Sequence, residues 1–326
     1  ARQFGGVGED KAQAVAVDPW GSVLVAGHFR SGSLNLDGFN FVIAQSGYDD
    51  VFVAKLDAAG RTTWARSFPT AASDIGLGLA ADGAGSIFLT SNYRGTRNFS
   101  GVVLSSVLSS LDVFLCKLDA AGTQQWVRSE GGGGSDLGVG LAVDAGGTAY
   151  VSGRFSQTAT FGSSVLTTVG AEDVFVASYG GDGVFQWARK AGGSETDWMQ
   201  GIALDAAGGG YVAGIFNFSV AQFGGISLTN PGSQSLYLAK LALVDASASP
   251  GFTVQPSAQI APAGANVIFS SGFTGAPPVA IQWRFNDQDI AGANGASLIL
   301  SNVSMINAGF YSVVLSNANG AITSAV

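Results

Sequence analysis

Residues 50–56 read Asp-Val-Phe-Val-Ala-Lys-Leu. In an extended strand, where side chains alternate, Phe52, Ala54 and Leu56 share one face and Val51, Val53 and Lys55 the other. The pattern returns with Phe114, Cys116 and Leu118, with Phe175, Ala177 and Tyr179, and with Tyr237, Ala239 and Leu241. Both faces are mostly apolar, so each sheet built on such a strand needs a covering neighbour on each side, as radially or linearly stacked repeats provide. No window carries a 3.6-residue apolar period, while short runs rich in Val, Phe, Tyr and Trp alternate with Asp/Gly turns, which predicts an all-β chain.

The repeat is regular. Trp64, Trp126 and Trp187 recur at spacings of 62 and 61 residues, and Asp18, Asp82, Asp144 and Asp205 at 64, 62 and 61. Four units of about 62 residues follow, near 1–64, 65–126, 127–187 and 188–245. Turns such as "DPWG" and "DAAG" put Asp first and Gly fourth, which suits a type I turn with a local carboxylate acceptor. Each supplies one carboxylate, whereas a calcium loop crowds several, so these aspartates are read as structural.

The recurring "GLAVD…YVSGRF…DVFVAKLDAAG…W" resembles the SBBP-type β-propeller repeats of large bacterial surface proteins. The resemblance spans residues 1–245 and implies a β-propeller of four blades, or part of a larger ring, with no shared catalytic residues. The opening "ARQF" matches the "ARSF" after Trp64, and the fourth unit lacks its own W-A-R strand. The expectation is that the N-terminal strand completes the fourth blade and closes the ring. The rival is a larger ring or an assembly completed by another chain.

Residues 246–251 read as a linker, and 252–326 resemble a bacterial immunoglobulin-like β-sandwich truncated at its C-terminus. Trp283 takes the strand C tryptophan position. "NAGFYSVVLS" matches the D-A-G-x-Y-x-C pattern with Asn307 for Asp and Val313 for Cys, and Tyr311 is the tyrosine-corner candidate. Val267 or Phe269 stands where the other half-cystine would be, so an apolar contact replaces the usual disulfide.

Composition narrows the function classes. Apolar residues make up 47% and charged ones 12%, with 48 glycines and a net charge of −8. No Lys/Arg cluster offers a nucleic-acid footprint, and no apolar run reaches the roughly 18 residues of a membrane span. Cys116 is the single cysteine and His28 the single histidine, which removes disulfides, Ser-His-Asp and Cys-His sets, and multi-histidine metal sites. No cofactor is expected. Asp10, Asp74, Asp136 and Asp197 recur once per repeat, where a glycosidase needs one asymmetric pair of carboxylates. They are read as caps of their own loops or as rim residues of an acidic opening, and Trp20 and Trp198 as packed indoles or sugar platforms. Trp64, Trp126, Trp187, Trp283 and Tyr311 are assigned structural roles. The sequence thus predicts a non-enzymatic, secreted or cell-surface scaffold or adhesive protein, capable of homo-assembly, whose partners are other protein subunits or surface polysaccharide. The alternative is a carbohydrate-binding module, with a polysaccharide-degrading enzyme behind it.

Overall fold

A computed structural model describes residues 3–325, apart from 31, 45, 73–76, 206–208, 218–219, 231, 242–248, 276–278 and 318. The chain is all-β: among the described residues the helical segments are two single 3-10 turns, Val107–Ser109 and Met305–Asn307. Among the described residues no helix is long and apolar enough to cross a membrane. Two units form, residues 1–241 and 242–326.

In the first unit, β1 (Asp10–Val17), β2 (Val23–Phe29), β5 (Asp49–Leu56) and β6 (Thr62–Ala72) make an antiparallel sheet in the order β1-β2-β5-β6, and β3 (Ser33–Leu36) with β4 (Phe39–Val42) forms a hairpin between β2 and β5. The second repeat copies this with β7 (Leu77–Ala81), β8 (Ile87–Arg94), β11 (Leu111–Leu118) and β12 (Gln124–Gly132), its hairpin being β9 (Thr96–Phe99) and β10 (Val102–Ser105). The third consists of β13 (Leu137–Val143), β14 (Ala149–Phe161), β15 (Ser164–Tyr179) and β16 (Phe185–Ala191), with its hairpin continuous with β14 and β15. The fourth has three main strands, β17 (Asp197–Leu204), β18 (Gly210–Asn217) and β21 (Gln234–Leu241), and a hairpin of β19 (Val220–Phe223) and β20 (Ile226–Thr229).

The sheets stack with one polarity. Val51 and Val53 of the first share a core with Phe114 and Cys116 of the second. Val113 and Leu115 pack with Phe175 and Ala177 of the third, and Val174 and Val176 with Tyr237 of the fourth. The valine face of each sheet therefore covers the aromatic face of the next, and each such side chain contributes about 1.5–3 kcal/mol by leaving water. Phe68 of β6 lies 6.1 Å from Phe99 and 5.9 Å from Phe114 between ring centroids, so the fourth strand of one sheet also docks on the next.

The expected propeller is corrected here. Among the described residues no closed sheet forms, and the core clusters join the first sheet to the second, the second to the third and the third to the fourth, with none joining the fourth to the first. The N-terminal stretch does not complete the fourth sheet: Gly5 bridges Asn35 on β3, and Phe4 packs with Leu34, Leu36 and Phe52 of the first sheet. The reason is physical: Phe4 finds on the first sheet the kind of apolar seat that Phe68 finds on the second. Residues 1–2 lie outside the described residues. The result is an open stack of four repeat sheets, of which the second and third are joined where Gly131 and Gly132 of β12 pair with Thr160 and Ala159 of β14.

The second unit contains β22 (Gly251–Val254), β23 (Val267–Ser270), β24 (Gly272–Thr274), β25 (Ala280–Phe285), β26 (Gln288–Asp289), β27 (Ser297–Leu300), β28 (Tyr311–Asn317) and β29 (Gly320–Thr323). β23 pairs with β27, and a second sheet runs β26-β25-β28-β29, the B–E and C′–C–F–G pairing of an immunoglobulin-like sandwich. Trp283 is fully buried with Val267, Phe269 and Val313. The Tyr311 hydroxyl donates to the Asn307 carbonyl at 2.9 Å, the corner bond of that fold.

Candidate interaction surface

The junctions between consecutive sheets are built from the turn upward. Asp119 opens the "DAAG" turn after β11, and its carboxylate accepts the amides of Ala121 and Thr123 at 3.0 and 2.8 Å. The turn carbonyls thereby point outward, and the preceding sheet clasps them. Trp64 Nε1 donates to the Ala120 carbonyl at 3.1 Å and Arg66 Nε to the Gly122 carbonyl at 2.8 Å. The next junction repeats this, with Trp126 Nε1 on Gly181 O at 3.1 Å and Arg128 Nε on Gly183 O at 3.0 Å. Gly122 sits at φ +79°, and a Cβ there would lie 2.8 Å from indole ring carbons of Trp64, so both backbone and packing require glycine. Trp187 packs in the third junction, 6.2 Å from Tyr150 with Arg189 over its ring; the turn following β21 falls within 242–248, outside the described residues.

Within the first unit, no described residue covers the outer face of β21. Leu236 and Leu238 of β21 are 81% and 69% exposed, whereas Val51 and Val53, their counterparts in the first sheet, are 0% exposed. Val113, Leu115, Val174 and Val176 are likewise buried. Along its outer edge β21 has no partner strand among the described residues, where β5, β11 and β15 pair with β6, β12 and β16. An uncovered apolar face beside an unpaired edge is suited to strand addition. Sequence reasoning did not single out Leu236 and Leu238, although the missing W-A-R strand of the fourth repeat was the signal for them.

The predicted rim residues sit in local roles. Asp10, Asp136 and Asp197 accept the amides of Gly6, Gly132 and Gly193 at 2.6, 2.7 and 2.6 Å, each four residues back; Asp74 lies outside the described residues. Carboxylates do meet in pairs across the junctions. A Cβ on Gly131 would lie 2.8 Å from Asp136 Oδ2 and 3.0 Å from Asp112 Oδ1, and one on Gly192 would meet Asp173 and Asp197 in the same way. Burial pushes the Asp136 carboxyl up to about 8, with the Asp112 charge adding to it, and burial raises Asp112 and Asp197 as well. Lys190 stands 3.0 Å from Asp173. Among the described residues no three acidic, His or Cys side chains converge to hold a metal ion.

Trp20 is on the first sheet, against Gly85 with the Lys55 ammonium 5.4 Å from its ring. Trp198 is on the fourth, hydrogen-bonded to Glu172 at 3.2 Å with Arg154 over its ring. The two indoles belong to the first and fourth repeats. His28 is buried and hydrogen-bonded to Gln13 at 2.9 Å, and burial lowers its pKa. Cys116 is fully buried, which pushes its thiol far up and leaves it unreactive.

No family model matches the chain. It is 30% identical over 168 residues to the regulatory protein FlaEY of Caulobacter vibrioides, a match covering 49% of this chain and 18% of that protein. The chain thus spans less than a fifth of that relative's length. Among solved structures, Sidekick-1 immunoglobulin domains 1–5 align over 99% of this chain and 79% of theirs at 12% identity and a TM-score of 0.25. A Dscam structure aligns over 98% of both chains at 10% identity and a TM-score of 0.24. Likeness at this level assigns no arrangement to the chain, which rests on the sheet orders above.

Proposed function

We propose that this chain is a non-enzymatic interaction scaffold of the cell exterior, which binds protein through the uncovered face of its fourth sheet. The observation that carries this reading is the exposure of Leu236 and Leu238 at positions buried in the other three repeats. Two water-facing leucines on one face of a strand mark an interaction surface, and the edge of β21, unpaired among the described residues, adds backbone donors and acceptors. The non-enzymatic part rests on the single histidine and on acidic residues that recur symmetrically with the repeat. The exterior location rests on low lysine content, many small polar residues and a single cysteine. A relative named as a regulatory protein suits a molecule that works by binding.

A thiol label tests it. Cys116 is buried, so a Leu236→Cys variant carries a single reactive thiol. In the dilute purified chain it should react with a maleimide rapidly. On intact cells of the source organism expressing the variant, the same thiol should react at least tenfold more slowly because a partner covers it. Equal rates in both settings would dismiss the reading.

A further inference from the structure

We infer that Lys190 and Asp173 of the third repeat condense into an intramolecular isopeptide bond, a covalent tie between β15 and β16 that the folded chain forms by itself with Asp197 as proton relay. The inference goes beyond the scaffold reading and does not depend on what covers β21. The starting contact is in place. Lys190 Nζ lies 3.0 Å from Asp173 Oδ2, the Asp173 side chain is wholly buried and that of Lys190 partly so. The repeats provide the comparison: Ser67 faces Phe52, Ser129 faces Phe114 and, in the same register, Lys190 faces Phe175. Where the serines stand, both oxygens of the neighbouring carboxylate have a donor. Asp50 accepts the amides of Thr70 and Ala44 at 3.0 and 2.6 Å, and Asp112 accepts the Ser110 hydroxyl and the Val107 amide at 2.9 and 3.0 Å. Asp173 differs. Its Oδ2 takes both the Val169 amide, at 3.0 Å, and the lysine, while its Oδ1 has no hydrogen-bond partner among the described residues.

The fourth sheet brings the third group. The Cβ position of Gly192 is 2.6 Å from Asp173 Oδ1 and 2.8 Å from Asp197 Oδ2, so the two carboxyls approach each other over a residue with no side chain to part them. Asp197 is buried; burial raises its pKa and the Asp173 charge adds to it, which favours the protonated form a relay needs. A buried carboxylate oxygen without a donor is costly, and an amide in place of the ion pair removes that charge. The step balances. The ammonium passes one proton to Asp173 Oδ1, and the freed Nζ lone pair attacks Cγ, with negative charge gathering on Oδ2 where the Val169 amide holds it. Asp197 protonates Oδ1, the Cγ–Oδ1 bond breaks with its electron pair leaving on water, and a second nitrogen proton restores the Asp197 carboxyl. The amide nitrogen keeps the third. Amine and acid are held together by the fold, which replaces an external activating reagent.

Intact-mass spectrometry of the purified, folded chain tests this. The unmodified chain should weigh less than its sequence by one water, and a protease digest should contain a branched peptide in which Lys190 is joined to Asp173. Lys190→Arg, which keeps the charge, and Asp197→Asn should both have their full sequence mass after the same incubation. Full mass in an unmodified chain whose near-ultraviolet circular dichroism shows it folded would overturn the proposal. So would a loss of water that persists in Lys190→Arg, since the water then comes from another site, such as the Asp37-Gly38 step. A branched peptide that forms as fast in Asp197→Asn as in the parent would overturn the role given to Asp197.

Discussion

Asp136 has no exposed surface and lies across Gly131 from Asp112, so ionising it places a second charge in a poorly hydrated junction. With its carboxyl pushed up to about 8, the folded chain binds a proton there that the unfolded chain releases near pH 4. Between those values the native state holds more protons, so stability falls as pH rises. Asp18 acts in the opposite sense at lower pH. Burial opposes its charge, but Lys55 at 2.7 Å and the amides of Ser22 and Trp20 prevail and lower its pKa. Its contribution is present above the unfolded value and lost as pH falls through the folded one. Thermal melts of Asp136→Asn should therefore show a flatter decline from pH 5 to 8 than the parent, and a gain on the order of 1–3 kcal/mol at pH 8. An unchanged slope would place the titration elsewhere. The sequence marked Asp136 as a repeated loop residue, but its altered acidity was not legible there, because it comes first from burial in the folded junction and then from Asp112, which approaches from the preceding repeat.

At the scale of elements, the stack depends on the clasp that Trp64 and Arg66 close on the turn of the next sheet. Gly122→Ala forces a Cβ against the indole at a positive φ and should cost about 1–3 kcal/mol. Trp64→Ala should cost about 3–5 kcal/mol through lost packing and an unmet carbonyl. Because the two changes meet at one contact, the double variant should lose at least 1 kcal/mol less than the sum, as chemical denaturation would measure; strict additivity would mean that the indole does not hold the turn. The strands, their alternation and the D-x-x-G turns were readable from the period of two and from the Asp/Gly spacing. The clasp was not. Tryptophan and turn recur with the same period, yet nothing in a period says that Trp64 reaches the turn of the following repeat, 56 residues on.

For the whole molecule, periodicity counted four sheets but could not decide closure. Whether a stack closes depends on a small rotation per repeat, set by how Val51 and Val53 seat on Phe114 and Cys116, and that angle leaves no trace in the hydrophobic pattern. The same pattern did hold one clue to the fourth sheet: its repeat has no tryptophan strand in register with Trp64, Trp126 and Trp187. In the structure that difference becomes an exposed pair of leucines, Leu236 and Leu238, at positions buried in the other three repeats. Maleimide labelling of Leu236→Cys on intact cells, set beside the dilute purified chain, measures the consequence directly, since Cys116 is buried. The account predicts labelling at least tenfold slower on cells, where a protein partner covers the face. Equal rates in the two settings would contradict it.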